Sequence, residues 1–328
     1  MNRKFIFILL ALSALFSLSV WADDECSFCE LNGQKDAQLL SSLHDLIVSH
    51  TVLDYSAVRG DKSRVDVRDD GTIWDIYSDC SFYPSDYCGT RTDYEECDCY
   101  NREHGLPKSW WGGSKDEPMY TDLHHIFSTD FAANTERGAW AYGEVTKTPV
   151  WSNSLGSKVG YGTFGSSGNN YVFEPADDYK GDIARVYFYM ITCYLDKNFT
   201  QGGKGYQIFN YSGSKASFTD KALTFLLKWH RQDPVSDKET TRDAKIYKKQ
   251  GNHNPFVHDP TLVEYIWGNK KGTAYACSNS QAIDLIYIDQ TPADSSVSTP
   301  SATKLLRNGQ ILILRGDKTY DLTGRLVE

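Results

Sequence analysis

Asn101-Arg102-Glu103-His104 sets a carboxylate beside an imidazole, and Gly105-Leu106-Pro107-Lys108 follows at once. Asp122-Leu123-His124-His125 comes next, then Asn134-Thr135-Glu136-Arg137. Carboxylate and amide oxygens can hold a hard divalent ion, an imidazole can take a proton from water, and cations can meet phosphate. That inventory suits hydrolysis of a phosphodiester with one metal ion. His104 follows a carboxylate and precedes Pro107, which puts it at a strand end or in a loop. An imidazole with an ordinary pKa near ~6.5 is largely neutral at pH 7 and can act as a general base. Neighbouring strand residues point to opposite sides, so Glu103 and His104 can serve one site only if the chain bends there. His124 and His125 do not spell a zinc site, since neither a His-Glu-x-x-His pattern nor an i,i+4 histidine pair is present. Arg137 and Arg185 are candidate phosphate contacts. Arg185 equally suits an internal salt bridge, and Lys108 a solvated charge.

The order and spacing of these groups resemble the endonuclease I family of periplasmic and secreted nucleases, within the ββα-metal (His-Me finger) superfamily. Tyr142-Gly143-Glu144-Val145, Phe173-Glu174-Pro175, Trp229-His230 with Asp233-Pro234-Val235-Ser236, and Gly251-Asn252-His253-Asn254-Pro255-Phe256 extend the resemblance over about residues 100–268. The resemblance implies that His104 activates the attacking water. It implies that Glu103 and Asn134 hold one Mg²⁺-type ion, with Ca²⁺ or Mn²⁺ as alternatives. His124 would brace the metal-holding finger without touching the ion. The implied reaction is an internal cut with little sequence preference, on DNA and with RNA left open. His253 stands where relatives often carry arginine, which removes a cation there. A catalytically silent nucleic-acid or surface-binding protein is the alternative. Glu103, His104 and Asn134 in this order argue for an enzyme, since a binder needs none of them.

The elements must place those groups within a chain of 328 residues, 40% hydrophobic and 13% aromatic, which can bury a full core. Its 21 tyrosines and 8 tryptophans read first as packing residues. Arg3 and Lys4, the apolar run from Phe5 to Val20, and Ala22 before Asp23 read as a secretory signal peptide over residues 1–22. No later stretch is apolar enough to span a membrane. Cleavage after Ala22 leaves 32 basic against 43 acidic residues, a net charge of −11. Attraction to phosphate must therefore be local, and Arg102, Lys108 and Lys115 supply it around Glu103.

Eight cysteines remain, at 26, 29, 80, 88, 97, 99, 193 and 277. An even count in an exported chain favours up to four disulfides, with zinc held by Cys26, Cys29, Cys97 and Cys99 as the alternative.

Apolar spacing predicts a helical face over residues 36–58 and short strands around Val65, Val67, Ile73, Trp74 and Ile76. It further predicts helices over 182–195, 222–231, 237–250 and 261–267, the first of them amphipathic. The Gly-rich run 155–170 reads as a surface loop. The fold class is α+β, a ββα-metal core embedded in a mostly helical nuclease domain over 23–289. Residues 290–303 form a Ser-, Thr- and Pro-rich linker. Residues 304–328 then form a short β-hairpin, with strands at Gln310–Leu314 and Thr319–Leu322. That tail resembles C-terminal sorting segments of type IX secretion, or packs on the main domain. The protein is expected to be a monomer, secreted or held in the periplasm or at the cell surface, with secretion machinery as a partner through its tail.

Overall fold

The computed structural model describes residues 28–58, 65–89 and 93–277, and by their backbone alone the strands within 302–321. The expected signal peptide, Cys26 and nearly all of the expected linker lie outside the described residues. The chain divides into two units, Met1–Cys277 and Ser278–Glu328.

The first unit opens with α1 (Asp36–Ile47), whose buried Leu39, Leu43 and Ile47 recur at four-residue spacing and face α4 (Lys180–Cys193). The helical run does not continue to residue 58. It stops at Val48 and resumes only as the single turn α2 (Tyr55–Val58). All fourteen residues of α4 are buried, so the amphipathic reading is corrected. Its polar side chains meet partners inside the protein, which lets a helix be enclosed on every side.

Strand β1 (Tyr100–His104) pairs antiparallel with β2 (Ile126–Asp130), and α3 (Phe131–Arg137) follows β2 directly. Asp130 caps that helix by accepting the Ala133 N–H at 2.7 Å. The expected strands over residues 65–76 reduce to one bridge between Val67 and Ile73. Two buried carboxylates hold this stretch to β2 instead. Asp66 accepts from the backbone and hydroxyl of Ser128, and Asp75 from the Thr129 hydroxyl and the Asp130 N–H. Burial pushes the Asp75 carboxyl up to about 6 despite these donors.

Three disulfides join Cys80 to Cys97, Cys88 to Cys99 and Cys29 to Cys277. The first two staple the loop that leads into β1. The three together exclude the zinc alternative, because Cys29, Cys97 and Cys99 are all oxidised. Cys193 is a free thiol buried in α4, and three of the up to four expected bridges lie among the described residues.

Strands β3 (Ala141–Tyr142), β4 (Trp151–Ser152), β5 (Lys158–Tyr161) and β6 (Tyr171–Glu174) make a sheet in the order β3-β6-β5-β4. The Gly-rich run is therefore partly strand, not all loop. Its glycines permit close backbone approach: a Cβ on Gly162 would lie 1.7 Å from the Glu144 carbonyl oxygen.

The single turn α5 (Gly205–Ile208) leads into the hairpin β7 (Phe209–Ser212) and β8 (Lys215–Phe218). Helix α6 (Asp220–Gln232) is capped by Thr219 and packs on α4. Helix α7 (Asp237–Gln250) starts with the Ser236–Glu239 capping box and ends at Gly251, whose φ is +81°. The short helices α8 (Pro255–His258) and α9 (Leu262–Ile266) complete the unit. Arg242 of α7 donates to the carbonyls of Leu123 (2.7 Å) and Ile126 (2.5 Å), fixing the start of β2.

The second unit is a meander, not a two-stranded hairpin. Strands β9 (Ala302–Arg307), β10 (Gln310–Arg315) and β11 (Lys318–Asp321) pair antiparallel in sequence order.

Candidate active site

β1 keeps its register through His104, which pairs with Ile126, so the expected bend does not occur between Glu103 and His104. The chain turns at Gly105, whose N–H meets the His125 carbonyl at 2.8 Å. The two side chains accordingly meet different neighbours. His104 reaches the rings of Trp111, Tyr120 and His125. Its Nε2 lies 3.0 Å from the Tyr120 carbonyl oxygen. A carbonyl only accepts, so Nε2 carries the proton and Nδ1 the lone pair. Burial, reinforced by His125, pushes the His104 imidazole down to about 3, and it stays neutral at ordinary pH. A neutral imidazole with a fixed tautomer is a prepared base.

Glu103 enters a different cluster. Its Oε1 accepts the Tyr77 hydroxyl at 3.1 Å and lies 3.1 Å from the Arg137 guanidinium. Burial pushes this carboxyl up, and Arg137 opposes the shift. The Tyr77 and Tyr142 hydroxyls bond each other beside the pair, and the guanidinium sits 4.8 Å above the Tyr142 ring. Asn134 lies one turn before Arg137 on α3. Its Nδ2 donates to Asn101 Oδ1 at 2.6 Å. Asn101 is two residues before Glu103, hence on the same face of β1. The amide NH₂ is thereby pinned, and Oδ1 has no bond among the described residues. One carboxylate and one presented amide oxygen on adjoining elements fit a Mg²⁺-type ion, which keeps most of its waters.

Arg137 is not a phosphate contact in this structure. It is 1% exposed, paired with Glu103, and donates to the carbonyls of Gly105 (2.7 Å) and Gly138 (3.0 Å). It fixes the Glu103 carboxylate and the turn after His104 together. Arg185 is likewise withdrawn. It is fully buried and makes a two-pronged pair with Glu239 at 2.6 and 2.5 Å. The capping box that starts α7 needs Glu239 at that position, so the pair locks α4 to α7.

His124 packs its ring on Tyr189 at 4.4 Å. Its Nε2 lies 3.2 Å from the Asn252 carbonyl, and its Nδ1 3.8 Å from Asp243. None of these partners bonds Glu103 or Asn134 among the described residues; through them His124 ties the segment that enters β2 to α4 and α7. His253 pairs with Asp243 at 2.5 Å and stacks on Tyr247.

His50, Asp122 and Cys193 bring ligand atoms within 4.8 Å of one another, a spacing that could hold a cation. Asp122 Oδ2 already accepts the hydroxyls of Tyr189 and Tyr194, both at 2.8 Å. Burial alone would raise this carboxyl, but the facing histidines hold it well below the usual range.

Sequence reasoning missed Tyr77, Asn101 and Tyr120. Asn101 carried a signal, its i,i+2 relation to Glu103 on a strand. Tyr120 acts through its backbone carbonyl, which leaves no trace in residue type.

Residues 36–261 match the endonuclease I family. The chain belongs to that family. It is similar to the extracellular ribonuclease of Bacillus amyloliquefaciens, 31% identical over 259 residues that cover 75% of this chain and 79% of the relative. The extracellular ribonuclease of Bacillus subtilis is 30% identical over 260 residues, covering 75% and 80%. The Endonuclease-1 of Buchnera aphidicola (subsp. Baizongia pistaciae) is 29% identical over 165 residues, 48% of this chain and 57% of the relative. This endonuclease I family member is a hydrolase of phosphodiester bonds, so the silent-binder alternative falls. The three disulfides among the described residues fit a secreted protein. No helix among the described residues is long and apolar enough to cross a membrane.

Proposed function

We propose that this protein is a secreted, metal-dependent endonuclease that cuts DNA, and RNA as a second substrate, with little sequence preference. The observation that carries the reading is His104, whose Nε2 is anchored on the Tyr120 carbonyl so that Nδ1 is left as an acceptor. Water gives its proton to Nδ1 as its oxygen attacks phosphorus, and the 3′-oxygen leaves. Glu103 and the Asn134 amide oxygen are the residues to hold a Mg²⁺-type ion within a ββα-metal core formed by β1, β2 and α3. Such an ion, when bound, supplies charge neutralisation at the phosphate and at the leaving oxygen. Low sequence preference follows if contacts fall on phosphates, which carry no sequence information. The protein acts as a monomer in the periplasm, at the cell surface or outside the cell, and its C-terminal unit directs export.

Plasmid nicking with and without EDTA tests the reading. Mg²⁺ should support nicking and chelation should stop it. His104→Ala should lose about 10²- to 10⁴-fold in rate, the usual worth of general-base catalysis. Full activity in excess EDTA, or near-normal turnover by folded His104→Ala, would overturn it.

A further inference from the structure

The residue that anchors His104 also supports an exposed aromatic shelf. The Tyr120 ring lies 5.5 Å from the His104 ring on one side and 5.3 Å from the Tyr55 ring on the other. Tyr120 itself is buried, whereas Tyr55 on α2 is 44% exposed. Two lysines stand over these rings: Lys108 Nζ lies 5.4 Å from the centre of Tyr120, and Lys115 Nζ 6.0 Å from that of Tyr55. Both lysines are exposed, and neither has a carboxylate within 4.0 Å among the described residues. In a chain of net charge −9, two unpaired ammonium groups over tyrosines beside the base form a local phosphate-attracting field.

We propose that Tyr55, flanked by Lys108 and Lys115, is a stacking shelf for an unpaired base next to the scissile phosphate, so that single-stranded nucleic acid is the preferred substrate. This rests on the nuclease reading above. An exposed ring can stack on a base only where the base shows its face, which a duplex hides and a single strand offers. Every base has such a face, so the shelf adds binding without adding sequence preference. The lysines meet the phosphates on either side of the stacked base. His104 is only 8% exposed, and a flexible strand can bend its phosphate into that recess more readily than a duplex can.

The test compares oligonucleotides of one sequence, single-stranded and duplex, in cleavage by the full chain and in fluorescence anisotropy with the His104→Ala variant. The wild type should cleave the single strand with the higher kcat/KM. Tyr55→Ala should lower that value by about 5- to 150-fold, the usual worth of one base–aromatic stack, mainly through KM. The duplex should change by less than the single strand. Tyr55→Trp should retain the preference, and Lys115→Ala should weaken single-strand binding while flattening its salt dependence. Equal losses on both substrates, or none on either, would overturn the shelf, as would a wild type that favours duplex. If the wild type cleaved neither substrate, the nuclease reading would fail. Anisotropy would then decide the shelf, by whether Tyr55→Ala in the His104→Ala background loses single-strand affinity.

Discussion

Arg137 of α3 lies 3.1 Å from Glu103 of β1, so the carboxylate proposed to hold the metal carries a buried counter-charge from the helix that bears Asn134. Glu103 is 5% exposed and Arg137 1%, which makes the pair internal. The same guanidinium holds the Gly105 carbonyl just beyond His104. One side chain thus sets the geometry of both halves of the site.

Removing only Arg137 would leave Glu103 buried without compensation. Arg137→Met should cost about 3–5 kcal/mol in urea unfolding. The double variant with Glu103→Gln should lose less than Arg137→Met alone, because no charge is then stranded. Unchanged stability with a raised KM would return Arg137 to a phosphate-binding role.

Asn101 pins the Asn134 amide and so selects which of its ends faces outward. Partners of this kind are typically worth about 10- to 100-fold in metal affinity or activity. Asn101→Ala should raise the Mg²⁺ concentration needed for half-maximal nicking, and excess Mg²⁺ should recover part of the rate. An unchanged Mg²⁺ titration would detach Asn101, and with it the orientation of Asn134, from the metal.

His230 gives a pH dependence of known sign. Burial and the nearby Arg185 push it down to about 4, with Glu264 opposing and Arg231 adding to the shift. Between an unfolded pKa of about 6.5 and 4, the unfolded chain binds a proton that the folded chain refuses. This histidine's contribution is therefore complete above pH 6.5 and is lost as pH falls towards 4. The slope of Tm against pH across that window should be shallower in His230→Gln than in wild type. Equal slopes would show that His230 titrates normally.

The oxidised protein should carry its bridges at Cys29–Cys277, Cys80–Cys97 and Cys88–Cys99. Cys193 should react with an alkylating reagent only after denaturation, without prior reduction. Peptide mapping that found Cys193 in a disulfide would refute this. Loss of Cys29–Cys277, which closes a separation of 248 residues, should cost about 2–5 kcal/mol.

The sequence by itself determined the class of chemistry, phosphodiester hydrolysis, and much of the local structure. Glu103, His104 and Asn134 stand out because a hard metal and a proton each demand particular functional groups in a short stretch of chain. Helix α7 was legible to its last residue, since Ser236, Glu239 and Gly251 mark its ends through local hydrogen bonds and a positive φ. The tertiary structure decided what lies far apart in the chain. Whether Arg185 meets a phosphate or Glu239 depends on two helices 54 residues apart, and burial settles it for the carboxylate. The carbonyl of Tyr120 that fixes the tautomer of His104 belongs to the backbone, which every residue shares. Composition could not single it out, and only folding brings it within 3.0 Å of Nε2.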